Sequence, residues 1–207
     1  MFCLEEFFDV IIFVWIGLFV LSLPLIFFFG FRNKKKLDKK LRSFARSRGF
    51  RFEEGSLFKS NKVSGRYNNR KVRVFINNRS GNGSYPSVPI YTMVFSEGSS
   101  GGFRNPDVTC VPKALLGGSL DTAIPGFNDK FSVSGDQAQR ILDPEVQTML
   151  LQLNGIEKVS LFVFFPDKGR EGKVWLFPRS INLEPAFAGK ALDLLSVVCD
   201  KAERIGV

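Results

Sequence analysis

The chain has 207 residues, with 29 Lys and Arg against 20 Asp and Glu, and it contains no histidine. The missing imidazole removes Ser-His and Cys-His nucleophilic catalysis, histidine-ligated metals and histidine-bound haem. Three cysteines, Cys3, Cys110 and Cys199, are odd in number and widely spaced; they fit free thiols in a reducing compartment better than a disulfide framework or a zinc site.

Residues 1–9 form a short acidic tail carrying Glu5, Glu6 and Asp9. Residues 10–31 then run without a charge, and Ser22 is nearly their whole polar content. At about 1.5 Å per residue this stretch reaches roughly 33 Å, against about 30 Å of bilayer hydrocarbon. It predicts a transmembrane helix, with Pro24 as a tolerated kink. The tail lacks a basic n-region and no small-residue cleavage site follows, so the span reads as an uncleaved anchor.

Immediately after it, residues 32–48 hold nine Lys or Arg against Asp38. The net charge of +9 is therefore a juxtamembrane belt more than a property of the remaining chain. Arg32, Lys34, Lys35, Lys36, Lys39, Lys40 and Arg42 form its membrane-surface part. Positive residues stay on the cytoplasmic side, which predicts an extracytoplasmic N-terminus and a cytoplasmic domain at the cell membrane. Leu37, Leu41, Phe44 and Ala45 recur at helical spacing within this segment, and Gly49 is its natural stop. The charges suit anionic lipid headgroups, at about 1 kcal/mol per residue; the apolar stripe suits docking on the domain.

Residues 49–207 are one domain's length, and 23 Phe in the chain favour a substantial core. Val63–Tyr67 and Lys71–Ile76 flank Asn68-Asn69, a hairpin in which asparagine supplies positive φ. Asn77–Pro89 and Glu97–Pro106 read as loops, Ile90–Ser96 and Val108–Val111 as strands, and Lys113–Gly126 as irregular. Lys130–Val133 alternates as a strand. Ser134 with Gln137 resembles a capping box opening a helix over 137–142. Asp143 as N-cap and Pro144 at the first position start another, ended by Gly155, with Val146, Met149, Leu150 and Leu153 buried. A second hairpin joins Lys158–Phe165 to Lys173–Phe177. An amphipathic helix over Glu184–Ile205 buries Leu192, Leu195, Val198, Cys199 and Ala202. Strands clustered apart from helices predict an α+β domain with a mainly antiparallel sheet.

Two segments carry a resemblance. Gly65, Tyr67, Arg70 and Val72 stand as G-x-Y-x-x-R-x-V after an aromatic strand. Phe127, Asn128, Phe131, Val133 and Asp136, then Leu142 and Pro144, stand as F-N-x-x-F-x-V-x-x-D … L-x-P. Together they resemble an uncharacterised prokaryotic family of single-pass membrane-anchored proteins with a domain of unknown function. The resemblance implies a tethered α+β domain and brings no catalytic residue with it; the residues themselves read as strand, turn and helix-start positions.

Other candidate sites are weak. The glycine loops at 81–84 and 98–102 lack the GK[ST] of a phosphate-binding loop. Glu53-Glu54 and the Asp143/Glu145 pair have no spacing that places them in one cleft. Arg66, Arg70, Lys71 and Arg73 form a basic hairpin, which nucleic-acid binding would normally supplement with exposed aromatics, so nucleic acid is an unfavoured partner. No catalytic, cofactor or metal residue is singled out. The expected function is a non-enzymatic interaction module with a protein partner, such as an accessory subunit of a membrane complex. A membrane-tethered enzyme without histidine chemistry and a lipid or small-ligand binding domain are the alternatives.

Overall fold

A computed structural model describes residues 14, 15, 17–19, 22, 35–55, 61–77, 88–96, 98, 105–113, 124–167, 169–180 and 182–205. The chain divides into two compact units, Met1–Lys40 and Leu41–Val207. In the first, residues 14, 15, 17–19, 22 and 35–40 are helical. Among the described residues no helix is long and apolar enough to cross a membrane. The tail at 1–9 and most of the predicted span at 10–31 lie outside them, as do Arg32 and Lys34 of the belt and most of the three long loops.

The second unit is α+β, as expected. Residues 41–48 are helical (α1), followed by strands β1 (Arg51–Glu53), β2 (Lys62–Tyr67), β3 (Arg70–Asn77), β4 (Val88–Ser96) and β5 (Val108–Pro112). Then come α2 (Phe127–Lys130), β6 (Phe131–Ser134), α3 (Ala138–Ile141), α4 (Pro144–Ile156), β7 (Val159–Phe164), β8 (Gly172–Pro178) and α5 (Pro185–Ile205). The strands form one sheet in the order β1-β2-β3-β4-β8-β7-β5-β6, and every pairing is antiparallel.

Alternation sorts the side chains. Val63, Val74, Tyr91, Leu176 and Leu161 are cross-strand neighbours on one face, and all are buried. The described helices pack there. Tyr91 meets the ring of Phe44 from α1 and that of Phe187 from α5 at 6.3 and 6.2 Å, and its hydroxyl donates to the Asn182 carbonyl. Helix α5 lies over β4 and β8, and α3 and α4 pack against it. Phe127 of α2 stacks on Phe131 at 4.9 Å.

Helix α1 ends as the sequence predicts. Gly49 is left-handed at φ 66, its N–H donates to the Arg46 carbonyl, and the Phe50 N–H reaches back to Ala45. These are the two bonds of a Schellman cap, and Phe50 closes it by meeting Phe44 edge-on at 5.9 Å. Leu41, Phe44 and Ala45 are buried, so this part of the apolar stripe belongs to the core.

Three local expectations need correction. Ser134 does not cap a helix: it is the last residue of β6, paired with Thr109, and Gln137 takes the N-cap position of α3 without a side-chain bond. Gly155 does not stop α4, which continues to Ile156. Met149 is only half-buried, and Gln147 is buried in α4 instead. Asp143 does cap α4, accepting from the Val146 N–H, with Pro144 at the first turn.

Because α1 supplies Leu41, Phe44 and Ala45 to the core, a chain beginning at Phe50 should melt well below one beginning at Lys36. Losing one such aromatic costs about 3–5 kcal/mol. Equal melting temperatures in a calorimetric comparison would show that α1 is a free stalk.

Candidate functional site

The β2–β3 hairpin turns on Asn68 (φ 47) and Asn69 (φ 63), the doubly left-handed geometry of a two-residue type I′ turn. That turn sets Tyr67 opposite Arg70, and period two then sends Tyr67, Arg70 and Val72 to the helix-covered face. Gly65 lies on the same face beneath the Phe50 ring, where a Cβ would collide with it. The Tyr67 hydroxyl donates to Asp193, Asn68 Nδ2 to Ser196 Oγ at 3.1 Å, and Arg70 Nη2 to Glu203 at 2.7 Å. Asp200 is also 2.7 Å from Arg70. These four α5 residues fall at i, i+3, i+7 and i+10, one stripe of a helix.

The charges respond. The hydrogen bond to Asp193, with desolvation behind it, raises the Tyr67 pKa above the usual phenol value. Partial burial disfavours charge on Arg70, but its bonds to Glu203 and Asp200 outweigh this, and its pKa rises. Tyr67, Asn68 and Arg70 thus form a clamp between hairpin and helix.

A cleft of about 560 Å³ opens at this end of the sheet, lined by Asn68–Lys71, Val94–Ser96, Gly98, Glu171 and Glu203. The β4–β8 register shifts between Val94 and Ser96, and Phe95 there meets Phe165 edge-on at 6.2 Å. Gly98 lets its backbone approach that of Arg170, since a Cβ would stand 2.5 Å from the Arg170 carbonyl carbon. Glu171 has a side chain only 5% exposed and is held by Arg73 at 2.9 Å. Each lining carboxylate is thus locked by a guanidinium, Glu203 by Arg70 and Glu171 by Arg73, and a carboxylate so held is a poor general base.

The other sequence candidates are scattered. Glu53 binds Ser64 and Lys62, which lower its pKa in that order, while Glu54 pairs with Arg42. Arg42 also sits 4.8 Å over the Phe52 ring, so this belt residue is turned to the domain. Lys35, Lys36, Lys39 and Lys40 are exposed on helical residues. Asp143 and Glu145 both accept from Lys201. Cys110 and Cys199 are free and buried. Among the described residues no group of acidic or cysteine side chains could hold a metal.

The basic hairpin is not one surface. Arg70 faces α5, whereas Arg66, Lys71 and Arg73 alternate to the opposite face of the sheet. Along the register that face continues through Thr92, Trp175 and Phe162. Counting parity outward from Asn68-Asn69 would have found this split, and helical spacing would have found the acidic stripe on α5. Comparison with protein-family models, curated proteins and solved structures finds no match.

The split has a measurable consequence. Arg70→Ala should cost about 1–2 kcal/mol, and a double-mutant cycle with Glu203→Ala should show coupling of about 0.5–1 kcal/mol, because Glu203 is partly solvated. Lys71→Ala should stay within about 0.5 kcal/mol of the parent. Equal losses at positions 70 and 71 in denaturant titrations would contradict the assignment of faces.

Proposed function

We propose that the protein is a single-pass membrane protein whose α+β domain is a cytoplasmic, non-enzymatic interaction module. It would serve as an accessory subunit that binds a protein partner within a membrane assembly. One observation carries the anchor: the helical residues Val14, Trp15, Leu18 and Phe19 expose 55%, 70%, 58% and 66% of their surfaces. Among the described residues only Ile156 joins them as an exposed large apolar side chain. Apolar helical surface facing outward at this density is at home in hydrocarbon and costly in water.

The exposed lysines at 35, 36, 39 and 40 follow as the positive-inside signal. The motif resemblance to membrane-anchored proteins points the same way. Binding is favoured over catalysis because the cleft carboxylates are spent on Arg70 and Arg73 and the candidate acid/base pairs are spent on caps and salt bridges.

Topology is tested by cysteine labelling, and the burial of two native thiols shapes the design. Cys110 and Cys199 are inaccessible, and burial raises both pKa values, so neither reports its compartment. Gln139 is exposed on α3. A membrane-impermeant maleimide on intact cells (or spheroplasts) should label Cys3, while Gln139→Cys in a Cys3→Ser background should react only after permeabilisation. Reaction at position 139 in intact cells would reverse the topology, and release of the protein by carbonate would remove the anchor.

A further inference from the structure

We propose that Lys35, Lys36, Lys39 and Lys40 bind anionic lipid headgroups as one face of the helical residues 35–40. The inference rests on the membrane-anchored reading and gives the anchor a lipid preference. At about 100° per residue, positions i, i+1, i+4 and i+5 fall within about 140° of a helix circumference. The four lysines are exposed, while Leu37 and Asp38, on the remaining arc, are half-buried.

Among the described residues none of the four has a hydrogen-bond or ion-pair partner. Lys35 with Lys39, and Lys36 with Lys40, are like charges at i, i+4, a spacing that destabilises a helix. An external layer of anions relieves that repulsion. Arg42 differs, although the sequence counts it in the same belt: its guanidinium is 2.8 Å from Glu54 and lies over the Phe52 ring. A topology signal needs only a surplus of positive residues. Grouping the unmatched ones on one side is the arrangement that a lipid surface can meet.

Chain length keeps these lysines near the headgroups. Only residues 32–34 separate Lys35 from the end of the predicted span, and the step from Phe31 to Lys35 covers at most roughly 14 Å even when fully extended. Nucleic acid suits the face less well. The exposed rings among the described residues are Trp15 and Phe19, and both lie in the predicted span, where no base can stack on them. Each basic residue near an anionic leaflet contributes about fivefold in association, so four together contribute on the order of several hundredfold.

The full chain, purified in mild detergent, is titrated with phosphatidylglycerol or phosphatidylcholine, and the lipids it retains are counted by native mass spectrometry. Phosphatidylglycerol should be retained at least about fivefold over phosphatidylcholine, and the preference should fade as salt is added. It should be lost when all four lysines are changed to Gln with melting temperature unchanged, and kept when all four are changed to Arg. Arg42→Gln, which removes a charge of the same belt, should leave it intact. Equal retention of the two lipids by the parent, or an undiminished preference in the four-Gln variant or at high salt, overturns the proposal. A single-stranded oligonucleotide that displaces phosphatidylglycerol from the chain overturns it in favour of nucleic acid. A chain that stays soluble and monomeric without detergent overturns the anchor as well, whereas one that needs detergent and shows no lipid preference overturns the headgroup site alone.

Discussion

A two-residue turn decides which way every side chain of β3 faces. With Asn68 and Asn69 both left-handed, Tyr67 must stand opposite Arg70, and no other register closes so tight a loop. Slipping the pairing by one residue would turn Val72, Val74 and Ile76 outward and bring Lys71, Arg73 and Phe75 against the helices. Each valine so exposed forfeits about 1.5–3 kcal/mol of burial. The acidic stripe on α5 would meet the wrong residue. Core, clamp and outer charge pattern thus depend on one backbone conformation that asparagine tolerates and β-branched residues do not.

The polar fasteners around α5 orient it more than they stabilise it. Apolar contact with β4 and β8 supplies the energy, through Phe187, Leu192, Leu195 and Val198, all buried. Contacts of that kind permit sliding, whereas Tyr67 on Asp193, Arg70 on Asp200 and Glu203, and Arg48 on the Pro185 carbonyl at 2.8 Å do not. Lys201 repeats the device at the other flank. It is disfavoured as a cation by partial burial, yet its pKa rises because Asp143 and Glu145 accept from it. Asp143 therefore does two jobs, capping α4 with one oxygen and fastening α5 with the other. Part-solvated pairs of this sort are individually weak, and their value here is directional.

The sequence was most legible where one local rule governed a segment. Alternation located the strands, asparagine located the first turn, Asp143-Pro144 located the start of α4, and Gly49 the end of α1. It misled where tertiary demands overrode a local one. Ser134 has capping chemistry, but β5 needs it as the partner of Thr109, and the chain then turns at Gly135 (φ 116). Gln147 has no apolar signature, yet it is buried with its amide donating to the Leu142 carbonyl. The basic hairpin misled in a different way. Charge summed along the chain gave one basic surface, and strand parity divides it into one internal cation and three external ones. Helical spacing alone aligns Asp193, Asp200 and Glu203 on α5, but not the hairpin that meets them.

That division also assigns the two kinds of cation different physical regimes. Arg70 has a side chain 16% exposed and two carboxylate partners, so salt screens it poorly and it belongs to the fold. Arg51, Arg66 and Lys71 face solvent, where attraction decays over about 8 Å at physiological ionic strength. Free in solution, three such charges would hold little. A change at Arg70 therefore acts through the fold, whereas a change at any of the other three acts on the charge of the surface alone.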